Sequence, residues 1–217
     1  MAKMDPSLLR NAQEVVRPGD VVWDIGANIG LFTFAAAALT GPSGHVVAFE
    51  PDAWLVQLLR RSGALQSPAA GTVEVIPAAV ASGIALRPFN VARRSRAYNA
   101  LANYGLSQTG GYEEPFKVPA YNLDWLADHL PKPNVIKCDV EGAEIEVFKD
   151  QSYMLGDIRP VVVCEVAGET AADIVSVFRE YGYKLYDGGK PLLGSRALET
   201  ACWDTIAIPE ELAIKYT

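Results

Sequence analysis

Seven short runs of apolar residues recur along the chain, and most of the intervals between them carry helical spacing. The first is Val21, Val22, Trp23 and Ile25. The others are 45–50 (HVVAFE), 73–76, 135–138, 160–166 (PVVVCEV), 183–186 and 203–208. Continuous apolar runs rich in β-branched residues suit strands covered on both faces, as in a parallel sheet. Leu8, Leu9, Ala12, Val15 and Val16 predict an N-terminal helix over 5–17, started at Asp5-Pro6-Ser7 and stopped at Pro18-Gly19. Helices are also predicted at 29–39, after Pro51-Asp52 as far as Gly63, at 122–130, from Ala143 and at 170–181. Strands alternating with helices in this order predict an α/β, doubly wound sheet with helices on both faces.

The regular plan loosens between residues 82 and 121. Ile84–Val91 and Phe116–Ala120 read as short strands or hairpin arms, but the centre has no clear period. An insertion of this length is either a functional loop or a mobile surface one. In the functional reading it is a lid or acceptor-recognition element, with Arg93, Arg96, Tyr98, Asn99 and Tyr104 contacting a polar substrate.

Composition narrows the class. A chain of 217 residues that is 50% apolar suits one domain, 1–217, with a substantial core. A net charge of −7, with no basic run longer than the 93–96 cluster, argues against nucleic acid as partner. Cys138, Cys164 and Cys202 lie in apolar runs, away from metal-ligand spacing, and read as buried thiols. With no signal peptide and no uninterrupted 18-residue apolar run, the expectation is a soluble, cytoplasmic protein without membrane contact. Oligomeric state is not fixed by these features, and a homodimer stays open.

Two stretches carry chemistry. In the first, Asp24-Ile25-Gly26-Ala27-Asn28-Ile29-Gly30, a strand runs into a glycine turn and an apolar helix, whose free N–H groups favour a polar ligand. Glu50 follows the turn by about 20 residues, the distance at which a carboxylate meets ribose hydroxyls. A dinucleotide site would carry a second glycine where Asn28 stands. The Asp24 carboxylate would repel a pyrophosphate but attract a sulfonium. This pattern favours S-adenosylmethionine over NAD; the plainer alternative is a strand-helix turn with no ligand.

The second stretch, VIKCDVEGAEIEVFK, ends the fourth strand at Asp139 and turns at Glu141-Gly142. Across the topological switch from the first strand, Asp139 and then Glu141 are the candidate bases for removing an acceptor proton. Alternatively, both merely stabilise the next helix at its N-terminus. Lys137 and Glu165, in adjacent apolar strands, are expected to pair with each other or with site residues; a structural ion pair is the default, and substrate orientation by Lys137 the alternative. His45 and His129 are poorly placed for catalysis. Asp139 and Glu141 lack a third acid or histidine at metal-site spacing, so metal independence is expected.

The segments DVVWDIGANIGLFTF, VVAFEPD, VIPAAV, NLDWL, VIKCDVEGAEIEVFKD and PVVVCEV, in this order, resemble the FkbM family of S-adenosylmethionine-dependent methyltransferases. The resemblance runs from about Pro18 to Ile208. It implies a Rossmann-like class I methyltransferase fold, with a seven-stranded, mostly parallel sheet in the order 3-2-1-4-5-7-6. It further implies that Asp24, Gly26, Asn28, Gly30 and Asp139 surround the methionine part of the cofactor. Glu50, with Pro51 beside it, would hold the ribose, and Ala79 in the 77–80 turn would border the adenine. The activity implied is O-methylation of a hydroxyl on a sugar or secondary-metabolite intermediate, with N-methylation of an amide or amine as alternative. Outside that class, an NAD-dependent oxidoreductase or a non-catalytic nucleotide-binding domain remains.

Overall fold

Each of the seven apolar runs becomes a strand of one sheet. The computed structural model describes residues 6–91, 100–101, 115–166 and 168–216. In chain order the strands are β1 (Val21–Ile25), β2 (His45–Phe49), β3 (Thr72–Ile76), β4 (Ala79–Val80), β5 (Ala85–Asn90), β6 (Ala100–Leu101), β7 (Phe116–Tyr121), β8 (Val135–Cys138), β9 (Val161–Glu165), β10 (Tyr183–Asp187) and β11 (Asp204–Pro209). The helices are α1 (Pro6–Val15), α2 (Leu31–Thr40), α3 (Ala53–Gly63), α4 (Leu123–His129), α5 (Glu144–Phe148) and α6 (Ala171–Glu180).

The large sheet runs β10-β11-β9-β8-β1-β2-β3. These whole-chain numbers differ from the expected order because a second sheet, β4-β7-β5-β6, takes four of them. Counted within the large sheet alone, the strands stand as 3-2-1-4-5-7-6. All neighbours are parallel except β11, which is antiparallel to both β9 and β10. The predicted hairpin arms become β5 and β7, paired antiparallel, while the 77–80 turn contributes β4 on the far side of β7.

Alternate residues of the strands feed two cores, which is why their runs are continuously apolar. Trp23, Phe49, Ile136, Phe148 and Phe178 fill one face. Val22, Val46, Val135 and Val163 fill the other with Ala12 and Val15 of α1 and Phe32 and Ala36 of α2. β1 lies between β2 and β8, and the chain leaves it in one direction before returning to the other. The carboxyl ends of β1, β2 and β8 therefore open into the crevice at the switch point.

Two local departures matter for that crevice. The second helix starts at Leu31 rather than Ile29, because Asn28 (φ 52°) and Gly30 (φ 89°) both adopt left-handed backbone. Asparagine and glycine tolerate that region best. Gly26 (φ 76°) is more constrained still. A Cβ there would sit 1.9 Å from the Asp139 carbonyl oxygen, so its missing side chain lets the tips of β1 and β8 close together.

Candidate active site

The crevice is a cleft enclosing about 560 Å³ of space, its open mouth included. One end is built on the β2 tip, where Glu50 is 4% exposed. Its carboxylate accepts one backbone N–H on each oxygen, from Asn28 at 2.9 Å and from Asp52 at 2.8 Å. Asp52 in turn caps α3 by accepting from the Trp54 N–H at 2.8 Å. Burial outweighs these bonds and pushes the Glu50 carboxyl up to about 7. Each oxygen still has a lone pair for a donor in the cleft. Phe49, Ala79, Val80, Phe89 and Leu101 form an apolar wall beside it.

The other end is acidic. Asp139, Val140 and Glu141 follow β8 and line the cleft. Glu141 has left-handed backbone (φ 56°), and Gly142 continues it (φ 96°). This turn is held by Glu144, 1% exposed, whose Oε1 accepts the Val140 and Gly142 N–H groups at 3.2 and 3.0 Å. Among the described residues the Glu141 side chain forms no hydrogen bond or ion pair. Burial, then the neighbouring charges of Asp139, Glu165 and Glu144, push its carboxyl up to about 8.

Of the residues read from sequence as binding or catalytic, Gly26, Asn28, Glu50, Pro51, Ala79, Asp139 and Glu141 line this cleft. Asp24, Gly30 and Lys137 do not. Asp24 is fully buried and accepts a hydrogen bond from the Thr33 hydroxyl at 2.5 Å. Its charge is met by Lys137 at 3.5 Å, so it stands behind the site rather than facing a ligand. Gly30 caps α2, and a Cβ on it would strike Phe34 and Leu59 rather than the sheet. Arg93, Arg96, Tyr98, Asn99 and Tyr104 lie outside the described residues.

Lys137 pairs with candidate site residues, the second of the two partnerships expected for it. Its ion pairs run to Asp24 and to Asp139 (3.4 Å), not to Glu165, and its ammonium also donates to the Gly26 carbonyl at 3.1 Å. Register explains this: Lys137 stands opposite Asp24 on β1, whereas Glu165 lies one residue past the last β8–β9 pair, Cys138 and Cys164. Burial works against the Lys137 ammonium, but Asp139 and Asp24 outweigh it and keep the group above the usual lysine value. Cys138 and Cys164 are both free. Among the described residues no group of three or more His, Cys, Asp and Glu is disposed to hold a metal, and no helix is long and apolar enough to cross a membrane.

Sequence reading missed Glu144, Phe89 and Leu101. A carboxylate two residues after Gly142 was a usable signal for the first. Phe89 and Leu101 reach the cleft only through the second sheet, whose arms were readable but whose position beside the cleft was not.

The raised carboxyls make a stability prediction. Glu50 and Glu141 bind protons more tightly folded than at their ordinary value of 4.5, so their stabilising protonated forms are fully present below that value. That contribution is lost as pH rises through about 7 and about 8. The melting temperature of the ligand-free protein should therefore fall between about pH 5 and pH 8.5, and fall less in Glu141→Gln. Scanning fluorimetry checks this; a rise over that window would contradict it.

Comparison with known proteins agrees with this geometry. The model of the methyltransferase FkbM domain family matches residues 24–185, more than half of the chain. The hexuronic acid methyltransferase AglP of Haloferax volcanii is 29% identical over 184 residues, which cover 79% of this chain and 70% of the relative. Among solved structures, a precorrin-6y C5,15-methyltransferase from Geobacter metallireducens superposes with a TM-score of 0.53 at 15% identity, covering 96% of this chain and 90% of its own. A methyltransferase FkbM from Methylobacillus flagellatus superposes with a TM-score of 0.52 at 16% identity, covering 90% of this chain and 48% of its own. At such identities the structural likeness is one of fold. With a family match that begins at Asp24, within β1, and runs through β8 to β10, the chain belongs to the FkbM family of methyltransferases.

Proposed function

We propose that the protein transfers a methyl group from S-adenosylmethionine to a hydroxyl of a sugar or related polar metabolite. The observation that carries this reading is a single cleft with a buried, backbone-anchored carboxylate at one end and an unpaired, basic carboxylate at the other.

The residues present fit that cofactor. The remaining lone pairs of Glu50 suit a ribose diol, and ionised Glu50 accepts its hydroxyls more strongly than the neutral acid would. Phe49, Ala79 and Phe89 offer an apolar wall for a flat heteroaromatic ring. Asp139 places negative charge where a cationic sulfur and ammonium would be favoured. Bound there, S-adenosylmethionine supplies an electrophilic methyl group on positively charged sulfur.

The protein's part is alignment, exclusion of water and removal of one proton. Glu141 is the preferred base: with its carboxyl at about 8 it is a strong enough acceptor for a hydroxyl proton, and no partner occupies it among the described residues. Asp139, bridged to Lys137, keeps the acidic end fixed and negative. An alcohol holds its proton until attack, whereas a neutral amine offers a free lone pair, so a poised base favours a hydroxyl over an amine acceptor. The sugar acceptor draws support from the name of the Haloferax relative, a hexuronic acid methyltransferase.

Calorimetry tests the cofactor half. S-adenosylhomocysteine should bind, and Glu50→Ala should weaken it by about 1 to 3 kcal/mol through lost charged hydrogen bonds. Preferential binding of NAD, or unchanged affinity in the variant, would overturn the assignment. Mass spectrometry of products from a panel of sugars tests the acceptor half, with methylation at nitrogen alone as the contrary result.

A further inference from the structure

The second sheet carries one wall of the cleft, since Ala79, Val80, Phe89 and Leu101 all belong to it. Apart from Val80, its buried residues pack into a small core of their own, in which Ala79, Phe89, Val118 and Ala120 are joined by Ala81 and Val91. A sheet with a separate core needs a fastening if its wall is to keep its distance from the facing acids. Among the described residues between 81 and 120, side-chain hydrogen bonds to the rest of the protein come from Ser82 and Arg87 alone, and both go to Glu146 of α5. The Ser82 hydroxyl donates to Glu146 Oε2 at 2.9 Å, and Arg87 Nη2 donates to the same oxygen at 3.2 Å. Arg87 stands two residues before Phe89 on β5, hence on the same face of the strand.

Acidic residues in the first turn of a helix commonly do no more than favour its N-terminal N–H groups. The Glu146 carboxylate accepts from a different sheet instead. Two residues earlier on the same helix, Glu144 accepts the Val140 and Gly142 N–H groups and so holds the turn that carries Glu141. One short helix thus grips both sides of the cleft, the apolar wall through Glu146 and the acidic turn through Glu144. We infer that Glu146 is a positioning residue, fastening the second sheet through Ser82 and Arg87 so that Phe89 and Leu101 stand at a fixed spacing from the acidic end. The Arg87 and Glu146 side chains are 39% and 27% exposed, so their ion pair is screened and adds little to the stability of the whole fold. Its effect is local: it sets where an already folded sheet sits. The inference rests on the reading of this cleft as the cofactor site, with the apolar wall against the adenine.

Two measurements on the full chain test it. In calorimetry, Glu146→Ala should weaken S-adenosylhomocysteine binding by about tenfold, and Arg87→Met by a similar or smaller factor. Combined, the two should weaken it no more than Glu146→Ala alone, because both remove the same fastening. Glu146→Gln, whose amide oxygen still accepts from both donors, should stay within about threefold of wild type. Hydrogen exchange in the ligand-free protein reads the fastening without the cofactor. In Glu146→Ala the β5 and β7 amides should exchange at least about tenfold faster, while those of β9 and α6 keep their protection. Unchanged affinity, or unchanged exchange of β5 and β7, in Glu146→Ala overturns the inference. So do additive losses in the double variant, and so does a Glu146→Gln protein that binds as weakly as Glu146→Ala. Protection lost throughout, β9 and α6 included, would make Glu146 a residue of the general fold and overturn it too. Faster β5 and β7 exchange in the variant, with no S-adenosylhomocysteine bound even by the wild type, would sink the cofactor reading and leave the fastening standing.

Discussion

Replacing Glu141 by glutamine should lower methyl-transfer turnover by about two to four orders of magnitude while leaving S-adenosylhomocysteine affinity within about threefold. The amide keeps the size and the left-handed turn but cannot accept the acceptor's proton. The same group predicts the pH profile. The base must be ionised, so turnover rises with pH through about 8, the value to which burial and the nearby Asp139, Glu165 and Glu144 push it. Catalysis and ligand-free stability should therefore move in opposite directions over that range, one needing the ionised carboxylate and the other losing the protonated one. Asp139→Asn separates the two acids: with one negative neighbour gone, the midpoint should move to lower pH. Initial rates across pH check all three statements. A Glu141→Gln enzyme at wild-type turnover, or a midpoint unmoved by Asp139→Asn, would transfer the base to another residue.

Gly26→Ala should be among the most destabilising single substitutions in the protein, at about 3 to 5 kcal/mol. Its Cβ would fall 1.9 Å from a backbone oxygen, and the Asp139 carbonyl cannot yield without pulling β8 from β1. Left-handed backbone adds roughly 1 to 2 kcal/mol of that for any residue with a side chain. Gly142→Ala is the control: its φ is also positive, but nothing lies within 4 Å of the added carbon. It should cost only the conformational share. Chemical denaturation of both variants decides; equal stability would mean that close approach at the β1–β8 tips is not what Gly26 provides.

How far the sequence discloses this site depends on whether a residue's role is local. The seven strands and the switch point were legible because most strands are nearly continuous apolar runs, 73–76 alternates, and each crossover helix has its own spacing. Glu50 was legible because its distance from the glycine turn follows from one strand, one helix and one more strand. Asp24 was misjudged for a nonlocal reason. Its proximity to the turn is readable, but the register that sets Lys137 opposite it, and so turns its charge inward, is a property of the β1–β8 pairing. Asp139, which does line the cleft, takes over in the proposed reading the part first given to Asp24. In the proposed mechanism the order of the two acids Asp139 and Glu141 is reversed. Both sit at the predicted strand tip, yet only the fold shows that Asp139 is bridged to Lys137 while Glu141 forms no ion pair among the described residues. Phe89 and Leu101 arrive from the second sheet: the arm carrying Phe89 was readable as a strand, but its docking beside the cleft is not a local property.

The most direct measurement of the central claim is the structure of the protein with S-adenosylhomocysteine bound. The account predicts both ribose hydroxyls within hydrogen-bond reach of the Glu50 carboxylate, the adenine against Phe49, Ala79 and Phe89, and the sulfur turned toward Asp139 and Glu141. A nucleoside lying outside this cleft, or a ribose held by groups other than Glu50, would contradict it.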